Sequence, residues 1–425
     1  MIRFSRTLSS PWSAAAVGAA VLFGVAAPAP AAHAAPLACG QTVTVSVVLS
    51  ANLLNCPGDG LIVGGNGITI DLNGRTVDGV GLGVGIRNNG FDNVTVTNSG
   101  STPARVQEFD HGVQLNAGTL GNIVEKLTVQ NNEFSGIGLN NAHSDNRVRN
   151  NHIDRQAHRG VEITAGSSGN LIADNRITGN QGGGVFAQNA VGNRVERNQI
   201  SGSGGAGLAL EGSRTNTLLA NTVGTSSDGA IVLRLGSDGN LVQGNSSSGS
   251  ADAGLTVSGS AGNRILSNTL HGSGDSGIVL DSAHGSTVTG NDVSRNTGGI
   301  ELSFANNNTI ESNIASNTTG DGISLNGSLN NQLRLNKAEN NGSSGIYVVG
   351  DAAAGSGNQL VGNIANANKG SGIFVSKAVH TLQGNTARGN NSWGISADRG
   401  NVDGGANRAG GNAQSGQCTG VVCAP

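Results

Sequence analysis

Two short clusters of polar residues carry the side chains best suited to acid–base chemistry. They are Asp110, His111 and Gln114 in the first cluster and His158, Arg159 and Glu162 in the second. A His exchanges a proton near neutral pH, an Arg holds a carboxylate through two hydrogen bonds, and a Glu beside another carboxylate can act as an acid or a base. The clusters predict a catalytic site with Gln114 as a substrate contact. The alternative is a solvated face whose charges are unrelated.

Aromatic residues form a second candidate site near the C-terminal end. The sequence has only eleven Phe, Trp and Tyr residues, and Tyr347, Phe374 and Trp393 are close in the repeat pattern described below. Exposed apolar surface often marks a binding site, and sugar rings stack on aromatic faces. We expect these three residues to bind substrate. The alternative is that they shield the end of the molecule.

Four cysteines lie near the two ends of the chain, at Cys39, Cys56, Cys418 and Cys423. Pairing within each end predicts two disulfides, although sequence alone allows three pairings. A bridge from Cys39 to Cys56 would close a loop of roughly 18 residues and contribute about 3 kcal/mol in the chain-entropy model. The spacings do not resemble zinc motifs. No metal or cofactor is predicted, and a copper role is unsupported because the initiator is the only Met.

The elements that position these residues follow from a repeat that consists of Gly, an aliphatic residue, any residue and another aliphatic residue. Thirteen copies recur at intervals of 22 to 27 residues, which is the signature of a solenoid. They begin at Gly112, Gly136, Gly160, Gly184, Gly207, Gly229, Gly254, Gly277, Gly299, Gly322, Gly345, Gly372 and Gly394.

A second sequence pattern, two Asn residues five positions apart, recurs at a nearly fixed distance from the first pattern. Asn170 and Asn175 are one such pair. Asn suits tight turns, and stacked Asn amides bond to one another. The phrases predict an all-β, right-handed single-stranded parallel β-helix of about 14 coils with three parallel sheets and an Asn ladder at one turn. His380 fills one ladder position and is interpreted as structural.

Stacked coils would bring the two polar clusters together. His111 and Arg159 precede equivalent strands two coils apart, which corresponds to about 10 Å along the axis. His152 begins a strand on the far side of the Asn turn, so we expect it to lie outside this site.

Composition and charge limit the function classes. The chain has 425 residues, 70 of them Gly, and a net charge of −3. This charge does not indicate the excess of basic residues that is typical of nucleic-acid-binding proteins. A basic, apolar and Ala-x-Ala sequence predicts a signal peptide at 1–34, hence a secreted protein without a membrane span in its mature form. The other predicted regions are an N-terminal cap at 35–60, the β-helix at 61–410, and a C-terminal cap or tail at 411–425.

The repeats resemble those of right-handed parallel β-helix proteins in the pectin-lyase-like superfamily. That superfamily includes pectate lyases, alginate epimerases and the NosD-type carbohydrate-binding and sugar-hydrolase group. The segments Cys56–Leu61 and Ile68–Gly74 also resemble a secreted actinobacterial type. The resemblance implies a polysaccharide partner. The epimerase motif Asp-Pro-His-Glu has its nearest match in Phe109–Gly112, which lacks the Pro and the Glu.

The sequence therefore predicts a secreted parallel β-helix protein that binds or modifies extracellular polysaccharide along its strand face. Two alternatives remain open. One is a non-catalytic structural or cell-surface interaction rod. The other is an enzyme resembling uronate-polysaccharide lyases and epimerases.

Overall fold

Short strands stack in parallel along the whole described part of the protein. The computed structural model describes residues 36–350, 357–377 and 379–425, so the predicted signal peptide lies outside the described residues. The first sheet has 17 strands in the described chain. These are Gln41–Val43, Leu61–Val63, Val84–Asn89, His111–Asn116, Ser135–Asn140, Arg159–Thr164, Gly183–Gln188, Leu208–Glu211, Ile231–Arg234, Leu255–Ser258, Ser276–Asp281, Gly298–Ser303, Ile323–Asn326, Ile346–Val349, Ile373–Ser376, Ile395–Ala397 and Cys418–Thr419.

The second sheet follows the first Asn of each pair and has 16 strands among the described residues. These are Val47–Val48, Thr69–Asp71, Thr95–Thr97, Ile123–Glu125, Arg147–Arg149, Leu171–Ala173, Arg194–Glu196, Thr217–Leu219, Leu241–Gln243, Arg264–Leu266, Thr287–Thr289, Thr309–Glu311, Gln332–Arg334, Gln359–Val361, Thr381–Gln383 and Val402–Asp403.

The third sheet follows the second Asn. Its nine strands are Thr76–Asp78, Ala104–Gln107, Leu127–Gln130, His152–Asp154, Arg176–Thr178, Gln199–Ser201, Thr222–Val223, Ser246–Ser248 and Thr269–His271. Single bridges from Thr269 through Asp292, Ile314, Lys337 and Ile364 to Thr386 continue the stack. A last sheet of three strands completes it with Thr386–Arg388, Asn407–Gly410 and Cys423–Ala424.

The prediction of three parallel sheets is confirmed, and the coil count is corrected. The first two sheets imply about 16 coils in the described chain rather than the predicted 14. The additional strands lie near the termini, where Gln41–Val43 pairs with Leu61–Val63 and Cys418–Thr419 pairs with Ile395–Ala397. The strands Gln41–Val43 and Cys418–Thr419 are not preceded by the Gly-aliphatic phrase, so a count of that phrase misses their coils.

Close contact between coils explains why the anchor of the repeat is Gly. At Gly160, an added Cβ would lie 2.5 Å from Ile177 Cγ2 and 2.7 Å from the carbonyl oxygen of Gly184. A larger residue therefore forces a shift. One predicted anchor is wrong by one position. Ile231 pairs with Leu208, so the buried Ala230 and not Gly229 takes the anchor position of that coil.

The predicted Asn ladder is confirmed, but it is not restricted to one turn. The second Asn of each pair forms an unbroken ladder, in which Asn175 Nδ2 donates to Asn198 Oδ1 at 2.9 Å and to the carbonyl oxygen of Val148 at 2.8 Å. The first Asn of each pair forms another ladder, as in the bond from Asn170 Nδ2 to Asn193 Oδ1. Positive φ falls on the residue before the ladder Asn, such as Asp174.

A third, less regular ladder lies at the turn before the first sheet. There Asn132 Nδ2 donates to Gln156 Oε1 at 2.9 Å, and Asn368 Nδ2 donates to Asn390 Oδ1 at 3.0 Å. Because Gln, Ser and Thr also occupy this position, it has no constant sequence phrase.

Aliphatic side chains fill the interior, and the two disulfides close the end coils. Within Arg159–Thr164, Val161 and Ile163 are buried while Glu162 lies on the outer side, as alternation requires. The predicted bridges Cys39–Cys56 and Cys418–Cys423 are both present. No helix in the described part of the chain has the length and apolarity needed to cross a membrane.

Candidate functional site

The outer face of the first sheet carries both polar clusters. Parallel register places Gln114, Gly138, Glu162 and Phe186 side by side on four successive strands. Gly138 has no side chain and is buried, and an added Cβ there would lie 3.7 Å from Gln114 Cγ. The prediction that the two clusters share one face therefore agrees with the register.

Phe134 connects the two clusters. Its ring centroid lies 5.1 Å from that of His111 and 4.7 Å from that of His158. Phe134 is 39% exposed. Asp110 approaches His111, with 3.6 Å between Asp110 Oδ2 and His111 Nε2. The Phe134 ring meets the His111 ring edge-on at 61° and the His158 ring at a tilt of 46°, so it joins two imidazoles that lie two coils apart.

Burial affects the protonation of both imidazoles. It lowers the pKa of His158, and the neighbouring Arg159 lowers it further. It also lowers the pKa of His111, against the opposing effect of Asp110. His111 Nδ1 lies 2.7 Å from Ser135 Oγ. His158 Nδ1 is buried with no hydrogen-bond partner among the described residues. Both rings are therefore neutral at neutral pH, as a general base must be.

Arg159 lies between the polar clusters and an apolar surface. Its Nη1 donates to Glu162 Oε1, and its guanidinium carbon lies 3.4 Å from the centroid of the Phe186 ring. A cation over an aromatic face is a favourable arrangement. The side chain therefore has one partner in its own coil and another in the next coil.

A cavity of about 240 Å³ opens beside Arg159. Four residues on the outer side of the sheet form a separate apolar cluster at this cavity, namely Phe186, Ala206, Ala209 and Val232. The charged residues that line it with Arg159 are Glu211, Asp228 and Arg234. We call this cavity the Phe186 pocket. It has an apolar floor and polar walls, which is typical of small-ligand sites.

Most of the charges around the Phe186 pocket are paired. Arg234 Nε donates to Glu211 Oε1 at 2.7 Å, as Arg159 does to Glu162. Asp228 Oδ1 accepts a hydrogen bond of 2.8 Å from the backbone N–H of Gly229. In the described part of the chain, Asp228 forms no ion pair.

The predicted aromatic site divides into two parts. Tyr347 and Phe374 occupy paired outward positions on adjacent strands, and their rings stack with centroids 5.2 Å apart and an interplanar angle of 10°. Trp393 packs against the last coil, where a Cβ at Gly416 would lie 2.9 Å from its Cζ3. Tyr347 is seven strands from Phe186, or about 34 Å at roughly 4.8 Å per strand.

The Phe186 pocket was not predicted from the sequence, because the candidates were the polar clusters and the C-terminal aromatic residues, and not the apolar outward positions between them. The available signal was an interruption in the outward positions, where Phe186, Ala209 and Val232 are apolar in three successive coils. Phe134 was missed for the same reason. His152 lies in the third sheet, outside the candidate site as predicted. Across the described ranges, no group of three His, Cys, Asp or Glu side chains is arranged to hold a metal ion.

Comparison with known proteins identifies the repeat. The family model described as "Right handed beta helix region" matches residues 41–189, 165–302, 225–356 and 265–407. A search of curated proteins found no match to this chain.

Solved structures with a similar chain path include two carbohydrate-active enzymes. DFA-IIIase from Arthrobacter chlorophenolicus A6 in complex with GF2 is 13% identical and has a TM-score of 0.48, with 64% of this chain and 83% of that chain covered. The mannuronan C-5 epimerase AlgE4 A-module from Azotobacter vinelandii is 12% identical and has a TM-score of 0.44, with 91% of each chain covered. Because the matched segments of the family model span most of the sequence, the chain belongs to the right-handed β-helix family.

Proposed function

We propose that this protein binds extracellular polysaccharide on the outer face of the first sheet. The Phe186 pocket is the observation that carries the proposal. Its floor of Phe186, Ala209 and Val232 offers apolar surface to the C–H face of a sugar ring, and its walls offer charged hydrogen-bonding groups to hydroxyls. Such a combination of an apolar floor and a few convergent polar groups is what sugar-sized ligands require.

The repeating architecture supports a polymeric ligand. Each coil adds one outward position at a spacing of about 4.8 Å, and the face continues from Gln114 to the stacked Tyr347 and Phe374. A polymer lying along the axis would contact several coils at once. Separate weak contacts along one chain raise the overall affinity through effective concentration.

Export is part of the proposal. The predicted signal peptide at 1–34 and the disulfides Cys39–Cys56 and Cys418–Cys423 support it, since disulfides persist in oxidising compartments. N-terminal sequencing of material recovered outside the cell tests it. We expect a start at Ala35, give or take about two residues, and a start at Met1 would contradict it.

The binding proposal is tested by filling the pocket. Wild-type protein and the variant Ala209→Trp are compared on immobilised neutral, anionic and amino polysaccharides. Trp at this outward floor position should remove retention on whichever polysaccharide binds. Thr309→Trp is the matched control, because Thr309 lies in the second sheet. Equal retention of both variants and the wild type would contradict the proposed site.

Modification of the bound polysaccharide is a second candidate function. It is favoured by the two neutral imidazoles of His111 and His158, which share one face with Glu162. In this function His158 would accept a proton as general base. Arg159 would position the substrate, and Glu162 would act as the partner acid or base. The double change His158→Ala with Glu162→Ala should abolish release of unsaturated or reducing ends and leave the melting temperature unchanged. Full product release by this variant would contradict a catalytic role. Retention of polysaccharide by the wild type without any product would instead indicate a binding protein.

A further inference from the structure

The outer face of the first sheet is strongly acidic. The relevant positions are the seven residues of each coil that are centred on the first inward aliphatic residue after the anchor position, from Ile86 to Ile373. These positions hold nine carboxylates and three guanidinium groups. The carboxylates are Asp110, Glu162, Glu211, Asp228, Asp252, Asp275, Asp281, Glu301 and Asp321, and the guanidinium groups are Arg87, Arg159 and Arg234. The other described residues hold slightly more Lys and Arg than Asp and Glu. The negative charge is therefore concentrated on the candidate binding face.

The few cations on this face are already neutralised. Arg87 makes two hydrogen bonds of 2.7 Å to Asp59. Arg159 pairs with Glu162, and Arg234 pairs with Glu211. None of the three is left to attract a carboxylated ligand without first breaking an existing ion pair. Of the two carboxylates that line the Phe186 pocket, Glu211 is paired with Arg234, and Asp228 has no ion pair among the described residues.

Farther along the face, carboxylates lie close to one another. Burial raises the pKa of Glu301, and the charges of Asp275 and Asp281 raise it further. Ser276 Oγ donates to Glu301 Oε2 at 3.4 Å. Neighbouring carboxylates repel one another, so a cationic ligand would relieve repulsion that an anionic ligand would increase.

We propose that the ligand of this face is a polysaccharide that carries protonated amino groups, such as a glucosamine polymer, rather than a polyuronate. The inference rests on the proposed function and names the substrate class of the same site. In the Phe186 pocket, the sugar ring would lie on Phe186, Ala209 and Val232 while an ammonium group pairs with Asp228. Successive amines along the polymer would meet Asp252 and Asp275, which precede the next two strands.

The experiment compares three oligosaccharides of matched length by calorimetry: a glucosamine oligomer, its fully N-acetylated counterpart and an oligogalacturonate. We expect the glucosamine oligomer to bind at least about tenfold more tightly than the other two at low salt, and this advantage to shrink as added salt screens the charges. Equal or tighter binding of the oligogalacturonate would overturn the inference. Equal binding of the N-acetylated oligomer would also overturn it, while leaving polysaccharide binding intact.

Variants separate the ligand class from the proposed function. Asp228→Asn should weaken glucosamine-oligomer binding about tenfold and weaken binding of the N-acetylated oligomer by a much smaller factor. Glu311→Gln removes a similar charge from the second sheet and should change neither. Identical effects of these two variants would overturn the inference.

Polylysine tests whether cationic charge alone is sufficient. We expect it to bind more weakly than the glucosamine oligomer and to be insensitive to Ala209→Trp, whereas the oligomer should lose binding in that variant. Equal affinity for polylysine would overturn the assignment of a saccharide. Failure of all three oligosaccharides to bind would overturn the proposed function together with the inference.

Discussion

The guanidinium group of Arg159 lies over the ring of Phe186, with 3.4 Å between its central carbon and the ring centroid. The two residues belong to adjacent strands of the first sheet, and Arg159 also pairs with Glu162. This contact joins the polar cluster to the apolar floor of the Phe186 pocket. A ligand in the pocket would therefore contact the same side chain that orients Glu162.

Replacement of Arg159 by Ala should affect both stability and binding. Loss of the contacts with Phe186 and Glu162 should lower the free energy of unfolding by about 1–2 kcal/mol and weaken polysaccharide retention. Thermal melting and a retention assay measure the two effects. Arg147→Ala in the second sheet is the control and should leave retention unchanged. If the two variants behave alike, Arg159 has no special role at the pocket.

The lowered pKa of His158 predicts the pH dependence of any turnover. A general base must be unprotonated, and burial together with Arg159 keeps this imidazole neutral below its usual pKa of 6.5. We expect activity to be constant at neutral pH, to persist somewhat below pH 6.5, and to fall on further acidification. A pH–rate profile of the wild type measures this. Activity that increases on acidification through pH 6.5 would show that the protonated ring is the working form.

The ladder of second Asn residues predicts a large effect of Asn268→Val. Asn268 Nδ2 donates to the carbonyl oxygen of Val242 at 3.0 Å, and its Oδ1 accepts from the backbone N–H of Asn245 at 2.9 Å. Val would leave both groups buried and unsatisfied, so the free energy of unfolding should fall by about 2–4 kcal/mol. Asn326→Val at an exposed position is the control. Equal denaturation midpoints for the two variants would contradict the structural role of the ladder.

His380 predicts an acid-sensitive contribution to stability. It occupies a position in the ladder of first Asn residues, it is buried, and its ring nitrogens have no hydrogen-bond partner within the described chain. Burial lowers its pKa from 6.5 to about 4. Between these values the unfolded chain binds the proton and the folded chain does not, so stability falls as the pH drops from 6.5 to 4.

The change His380→Asn should restore an ordinary ladder residue and reduce this loss. Melting temperatures of wild type and variant, measured from pH 7 to pH 4.5, provide the comparison. The two curves should diverge toward acid, with the variant more stable. Parallel curves would show that other groups cause the acid sensitivity.

The fold could be predicted from sequence because each coil repeats the same steric requirements. Close approach of coils selects Gly at positions such as Gly160, and buried amide bonding selects Asn at positions such as Asn175. Errors occurred where another residue meets the same requirement. Ala230 replaces the anchor Gly, and Gln156 replaces Asn in the third ladder.

The candidate site was only partly predictable. Counting positions along the repeat places Glu162 beside Phe186, but the Phe186 pocket also needs the small residues Gly182, Gly205 and Ala209, which leave space beside the aromatic ring. Small residues are common throughout this chain, so their presence at these positions does not indicate a pocket. The contact of Trp393 with Gly416 likewise depends on the packing of the last coil, which lacks the repeat phrase.

The central claim is that a polysaccharide lies on the outer face of the first sheet, and a crystal structure of the protein with a bound glucosamine oligomer tests it most directly. The account predicts a sugar ring against Phe186, Ala209 and Val232 with an amino group beside Asp228, and further units along the axis toward Asp275. An oligomer bound to the second or third sheet, with the Phe186 pocket empty, would contradict the account.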